Sequence, residues 1–274
     1  MPDRPRVIDA AGIVCRVLID GTRRVSPRFV FRGYDREVQG PFVEPALDEM
    51  GTLPGRFAAL LIEAGDHPIL VDAGLGPFTA ASDGGRVVGE LDALGVEPTD
   101  VRTIVVTHGH ADHVGGLVTN DGVPAFPEAR HVVHAAELAF WRSPAAQDLP
   151  GDAGEPARVA FGALRAAGLL DQQEADAAIS EGVRAIETPG HTPGHLSVVV
   201  NEALLWAGDA IVAPLNVSHP EWVSAADMDP DANEVTRRAL VERAARADLL
   251  LAGAHLPVVG RVRRTDDGYA FIVV

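Results

Sequence analysis

Two sheets packed face to face with helices outside them, in a single α/β (α+β) domain, is the architecture this sequence predicts. Three observations carry that expectation. Apolar strand-like runs alternate with helical segments, and the strand-then-helix order recurs in both halves of the chain. The run TIVVT (103–107) is of the short apolar kind that a sheet buries on both faces. No fixed-period repeat or low-complexity linker divides the 274 residues, and 47% of them are hydrophobic, enough for one large core.

The elements follow in order. IVCRVLI (13–19) reads as a first strand that buries Cys15. Residues 21–55, rich in Gly, Pro and Arg, read as a long irregular arm, and loops of that length are often functional. FAALLIE (57–63) and ILVD (69–72) form a hairpin across AGDHP, with His67 exposed in its turn. GGRVVGELDALGV has helical spacing, with Val87, Val88, Leu91 and Leu94 on one stripe. HVVH (131–134) is a strand leading into the helix AAELAFW; His131 and His134 flank it without an assignable partner. The Ala-rich residues 155–180 read as helical. VRAIET (183–188), LSVVV (196–200) and ALLWAGD (203–209) are strands, with the turn PGHTPGH between the first two. DPDANEVTRRALVERAARAD is a helix with Asp229 as N-cap and Pro230 at its first position. LLLAG, PVVGRVR and YAFIVV close the chain as strands.

Composition narrows the partners. A formal net charge of −16 repels phosphate backbones and anionic lipid, so a small molecule is expected, with no nucleic acid and no membrane surface. One cysteine allows no intramolecular disulfide, so the fold needs no oxidising compartment. MPDRPRVIDA lacks the apolar core of a signal peptide, and no apolar stretch reaches the ~18 residues of a membrane span. A cytoplasmic protein is the expectation.

The chemistry concentrates at THGHADHVGG (107–116). Histidine is scarce, at 10 of 274 residues, yet three of them and Asp112 fall within six positions here. In extended chain, positions i and i+2 face the same way, so His108 and His110 can converge on one metal ion. Asp112 and His113, where the chain turns into a helix, can point towards a second. Ala111 leaves room between the two pairs, and Gly115 and Gly116 let the backbone bend closely beneath them. Two ions need further ligands. Three are found in one repeated context of apolar strand, small residue or glycine, then ligand: His191 in ETPGHTPGH, Asp209 in WAGDA and His255 in LLAGAHLP. Strand ends of this kind are where α/β proteins bind ligands.

The series THGHADH, TPGHTPGH, AGDA and GAH resembles the metallo-β-lactamase superfamily in order and approximate spacing, from residue 57 to about 260. The resemblance implies a four-layer αββα sandwich with the site at one edge. It implies that His108, His110 and His191 hold one divalent ion, that Asp112, His113 and His255 hold the other, and that Asp209 bridges them. It also implies that Asp72, in LVDAG, supports a ligand histidine from behind, fixing its tautomer. The donors are all nitrogen and oxygen, which suits zinc and would also accept Mn, Fe or Co. Two such ions lower the pKa of a water between them and supply hydroxide near pH 7 for attack on a carbonyl or phosphoryl centre. One ion would polarise the acceptor oxygen, and Asp112, as in relatives, would pass a proton to the leaving group.

The segment from NVSHPEW to GAHLP is similar to the branch containing methyl parathion hydrolase and N-acyl homoserine lactonases. That branch also has a long N-terminal arm, matched here by residues 21–55, through which relatives often form homodimers. The resemblance favours lactone or ester hydrolysis, with phosphotriester hydrolysis as the alternative. Phe42, Trp222 and His219 are candidates for the walls of an apolar pocket, as are Phe78, Phe126 and Trp141. His195, after His191 in TPGH, starts a strand and packs. One departure is clear: lactonases with a catalytic tyrosine carry it just after the bridging aspartate, whereas DAIVAPLNV has none and the chain holds only Tyr34 and Tyr269. A thioesterase of the glyoxalase II type would need a C-terminal substrate domain, and 19 residues follow His255. A single-iron persulfide dioxygenase would leave Asp112, His113 and His255 unexplained. The acidic charge disfavours a nuclease, and the lack of a leader disfavours an exported β-lactamase.

Overall fold

The computed structural model describes residues 6–79, 83–150 and 153–274, and the MPDRP start lies outside them. Its fourteen described strands form two seven-stranded sheets in mirror-like order. The first runs β1 (Arg6–Ala10), β2 (Ile13–Val25), β3 (Leu53–Glu63), β4 (Ile69–Val71), β5 (Thr103–Val105), β6 (Arg130–His134) and β7 (Leu170–Gln173). The second holds β8 (Ala177–Ser180), β9 (Val183–Glu187), β10 (Leu196–Val200), β11 (Leu204–Trp206), β12 (Leu250–Ala252), β13 (Gly260–Thr265) and β14 (Gly268–Val273). Pairing is antiparallel up to β4 and parallel from there to β7; in the second sheet only β11 and β12 are parallel.

Side-chain alternation builds the layers. Val17, Leu60, Ile62, Val71 and Val105 of the first sheet meet Ala185, Val198, Val200 and Trp206 of the second in one core. The alternate residues Leu18, Leu61, Leu70 and Ile104 face outward, onto Leu91, Leu138, Phe161 and Leu164 of the Val87–Ala93, Ala135–Trp141 and Glu155–Ala166 helices. On the far side Val199, Leu205 and Leu251 pack against Leu240, Val241 and Ala244 of the Pro230–Arg246 helix. Both strand faces are therefore apolar, which explains why FAALLIE carries no polar alternation. Helices outside, two sheets inside, is the layering expected.

Four local expectations need correction. The first strand runs on to Val25 and pairs with a third strand that starts at Leu53, Val25 opposite Leu53. The irregular arm is thus 26–52, and it holds short helical turns at Pro27–Val30, Gly40–Val43 and Glu44–Ala46. Arginines at 23 and 24 hid this ladder. β1 was not foreseen: it pairs with β2 across Ala11 and Gly12, both with positive φ (51° and 100°), the geometry of a tight hairpin turn. Residues 155–180 are not one helix. The helix ends at Ala166, Gly168 follows at φ 72°, and β7 and β8 occupy the rest as an edge strand of each sheet. Tertiary pairing overrides the Ala-rich propensity there. Finally, Val87 and Leu91 are buried but Val88 points to solvent, because the helix is short and shows the sheet only one side.

Other readings stand. Asp229 caps the last long helix, accepting from the Ala232 amide at 3.0 Å. His67 is exposed and Cys15 is buried, its thiol pushed up to about 12 by burial. Among the described residues no helix is long and apolar enough to cross a membrane.

Candidate metal centre

The predicted ligands lie just beyond strand ends. His108 and His110 follow β5, His191 follows β9, Asp209 follows β11 and His255 follows β12. Asp112 and His113 sit on the one-turn Ala111–Val114 helix. Gly115 and Gly116, next in the chain, press against the 73–76 loop after β4; an added Cβ would collide with the carbonyl oxygens of Leu75 and Ala73. The Gly116 amide donates to Gly74 O at 2.9 Å, and the Ala73 amide donates to His113 O at 2.9 Å. The glycines allow this close approach.

The structure brings seven side chains together. His108 Nε2 lies 2.9 Å from His110 Nδ1, which lies 3.0 Å from His191 Nε2. His255 Nε2 lies 3.3 Å from Asp112 Oδ2 and 3.0 Å from Asp209 Oδ2. His113 Nε2 is 3.4 Å from Asp209 Oδ1 and 3.7 Å from Asp112 Oδ2. Asp209 Oδ2 is also 3.4 Å from His191 Nε2. The trios His108–His110–His191 and Asp112–His113–His255 each hold their ligand atoms within 4.8 Å of one another, and Asp209 lies between them.

Outer partners fix the rings. His113 Nδ1 lies 2.8 Å from Asp72 Oδ2, His191 Nδ1 lies 2.8 Å from Asp227 Oδ1, and His255 Nδ1 donates to the Arg56 carbonyl at 2.7 Å. Each pairing places the proton on Nδ1 and aims the Nε2 lone pair at the centre. Buried His113 Nε2 and Asp209 Oδ1 have no hydrogen-bond partner. Lone pairs converging from imidazoles and carboxylates, two of them otherwise orphaned, fit a cation and no neutral donor.

Charge follows the same division. Burial, then the His113 and His110 rings, pushes His108 well below the usual imidazole value. His110 is lowered to about 3 by burial and then by His191. Burial opposes ionisation of Asp112, yet His113 and His255 hold it below its ordinary value. Asp209 behaves likewise, with His255 and His113 outweighing burial. Burial would also lower His113 and His255, but Asp209 and its neighbouring carboxylates raise both, His255 to about 9. The side holding Asp112 and Asp209 thus attracts positive charge.

The centre opens into a cavity of about 680 Å³. His110, Ala111, Asp112, His191, Asp209 and His255 form its floor. Its walls are mostly apolar, with Val25, Phe29, Val30, Phe31, Val43 and Leu53 from the arm and its flanking strands, Phe78, and Val212 to Leu215 after Asp209; Arg23 and Glu155 are the charged residues among them. Five of the six candidate wall residues fall outside this lining. Phe42, His219 and Trp222 are not among the lining residues. His219 stacks on Trp222 at 3.9 Å and Phe42 meets both edge-on, with Phe42 half exposed, so the three rings satisfy one another behind the wall. Phe126 and Trp141 belong to the core, whereas Phe78 does face the cavity. His195 is buried, its Nε2 accepts from the Asp209 amide at 3.0 Å, and burial lowers it to about 3.

Sequence reasoning missed Asp227 and Thr107. The carboxylate of Asp227 reaches His191 from 36 positions away and is backed by Arg237 at 3.5 Å. Thr107 donates from its amide to Asp72 Oδ1 at 2.7 Å and from its hydroxyl to Oδ2 at 2.8 Å. Thr107 was legible as the residue preceding the first histidine; Asp227 carried no local signal.

The family described as the metallo-beta-lactamase superfamily matches residues 58–255. A protein named "Probable metallo-hydrolase" from Mycobacterium tuberculosis (strain ATCC 25618 / H37Rv) is 30% identical over 220 residues. That alignment covers 65% of this chain and 66% of the relative, so the chain spans just under two thirds of its length. An N-acyl homoserine lactonase of Bacillus sp is 29% identical over 163 residues, covering 51% of this chain and 56% of that protein. Among solved structures, that of the hydrolase AbOPH of the beta-lactamase superfamily superposes with a TM-score of 0.88 at 27% identity, over 100% of this chain and 98% of its own.

Proposed function

The chain belongs to the metallo-beta-lactamase superfamily, and from that premise we propose that it hydrolyses lactones or esters bearing an apolar acyl or aryl group, using two divalent metal ions. The observation that carries this reading is the pair of ligand trios sharing Asp209 at the floor of an apolar cavity. His108, His110 and His191 would hold one ion, Asp112, His113 and His255 the other, with Asp209 between. The donor set suits zinc. When bound, such a pair would lower the pKa of a shared water and withdraw charge from the scissile carbonyl.

The protein's own groups do the rest. Asp72, Asp227 and the Arg56 carbonyl hold three imidazoles in the ligating tautomer. Asp112 reaches the cavity floor and is placed to move a proton to the leaving oxygen. The arm residues exclude water and orient the acyl group against that floor. Similarity to a homoserine lactonase supports a cyclic ester. The absence of tyrosine from the described cavity lining supports proton transfer through Asp112.

The test is a panel of lactones, aryl esters, phosphotriesters and thioesters assayed with the Zn, Mn and Co forms. Turnover should be highest on lactones or esters and be lost in His110→Ala. A preference for phosphotriesters or thioesters moves the substrate class. Fewer than one ion per chain in protein made without added metal counts against a stable two-ion centre, and a coloured protein with a single iron would point to oxygenase chemistry.

A further inference from the structure

Glu137 is fully buried in the Ala135–Trp141 helix and forms no ion pair among the described residues. Four donors converge on it instead. Oε1 accepts from the Gly109 amide at 2.7 Å and from Trp141 Nε1 at 2.6 Å. Oε2 accepts from the Thr192 hydroxyl at 2.7 Å and from the Gly194 amide at 2.9 Å. Burial raises this carboxyl above its ordinary value, and the four donors act against that by favouring its ionised form.

The identity of those donors matters more than their number. Gly109 stands between His108 and His110, in the loop leaving the first sheet. Thr192 follows His191 directly and Gly194 closes the same turn, in the loop leaving the second sheet. One oxygen therefore holds the loop of two ligands and the other holds the loop of the third. Both loops are seated tightly: an added Cβ at Gly109 would strike the Trp141 indole, and one at Gly194 would strike the Glu137 backbone. Among the described residues no hydrogen bond joins Glu137 to the other trio, whose rings lean on Asp72 and Arg56 O.

We propose that Glu137 is a positioning residue that clasps the two loops of the His108–His110–His191 trio at the spacing of one cation, and so sets the affinity of that ion without setting that of the other. The inference rests on the reading of this centre as a two-ion site. Glu137 joins the two sheets behind this half of the centre, as the bond from His255 to Arg56 O does behind the other.

The test is titration of metal-stripped protein with Zn²⁺ and with Co²⁺, reading stoichiometry, competition against a chelator and the visible Co²⁺ spectrum, with far-UV circular dichroism as the check on folding. In Glu137→Gln one acceptor becomes a donor, so one loop is released. One of the two ions should bind tenfold or more weakly, within the ~10–100-fold range for outer partners of metal ligands, while the other binds as in wild type. The double variant with His255→Ala should then bind neither ion tightly. Thr192→Val removes a single donor, keeps the carboxylate, and should weaken the same ion a few-fold. It carries the test if the glutamine variant fails to fold. A folded Glu137→Gln that binds two ions with wild-type affinity, or weakens both equally, overturns the proposal. So does an unchanged Thr192→Val if the glutamine variant is unfolded. Wild-type protein that binds no ion overturns the two-ion reading itself, and this inference with it.

Discussion

Asp72 occupies a left-handed backbone position at φ 62°, which costs free energy for any residue but glycine and is tolerated best by Asn and Asp. Its oxygens accept from Thr107 and His113, so the conformation is held by the contacts it serves. Asp72→Asn keeps the backbone preference but turns one acceptor into a donor. We expect metal affinity at the Asp112–His113–His255 trio to fall about 10–100-fold, measured by chelator competition. His131 carries a separate prediction. It is buried in β6, neither ring nitrogen has a hydrogen-bond partner, and burial lowers it to about 4. The unfolded chain binds a proton near 6.5 and the folded one only near 4, so stability is full above that window and falls as pH drops through it. Denaturant unfolding at pH 7 and 4.5 should show a loss of about 2 kcal/mol in metal-stripped wild type that His131→Leu lacks.

At the scale of elements, the arm supplies Phe29, Val30, Phe31 and Val43 to the cavity wall. Val30 ends a four-residue helix and faces the cavity only partly buried. Val30→Trp should narrow the cavity and lower kcat/KM about tenfold for long acyl chains while sparing short ones, since each buried methylene contributes about 0.8 kcal/mol. A uniform loss across chain lengths would count against the arm as the acyl wall. The same contrast explains what was legible in the sequence. His108, His110, Asp112 and His113 lie in one short motif, and His191, Asp209 and His255 each follow a strand with a small residue before them, so local pattern exposed them all. Trp222 and His219 were misplaced because an aromatic near a site reads alike whether it faces in or out. Asp227, Glu137 and β1 escaped because their meaning depends on partners far along the chain. Asp20 shows this well: from β2 it accepts from the amides of Gly85, Arg86 and Val87, and so caps a helix its own sequence neighbourhood never mentions.

At the scale of the molecule, the centre draws four candidate ligands from the first sheet and three from the second, and it can exist only when both are docked. Anything that binds the folded state alone stabilises it by mass action. Removing the metal should therefore lower Tm by about 10 °C, given ~4 kcal/mol for an ion present at a thousand times its Kd and ~2–4 °C per kcal/mol for a chain of this size; calorimetry with and without chelator checks this. A further consequence concerns the chain as a polymer. With one cysteine it has no means of tying its own distant segments covalently. Coordinated ions would join position 108 to position 191 and position 113 to position 255 and so close two long loops, restricting the conformations open to a partly unfolded chain much as a disulfide does. Unlike a disulfide, that tie is reversible and answers to the free concentration of a cation, so the resistance of this fold to opening becomes a variable its surroundings can set.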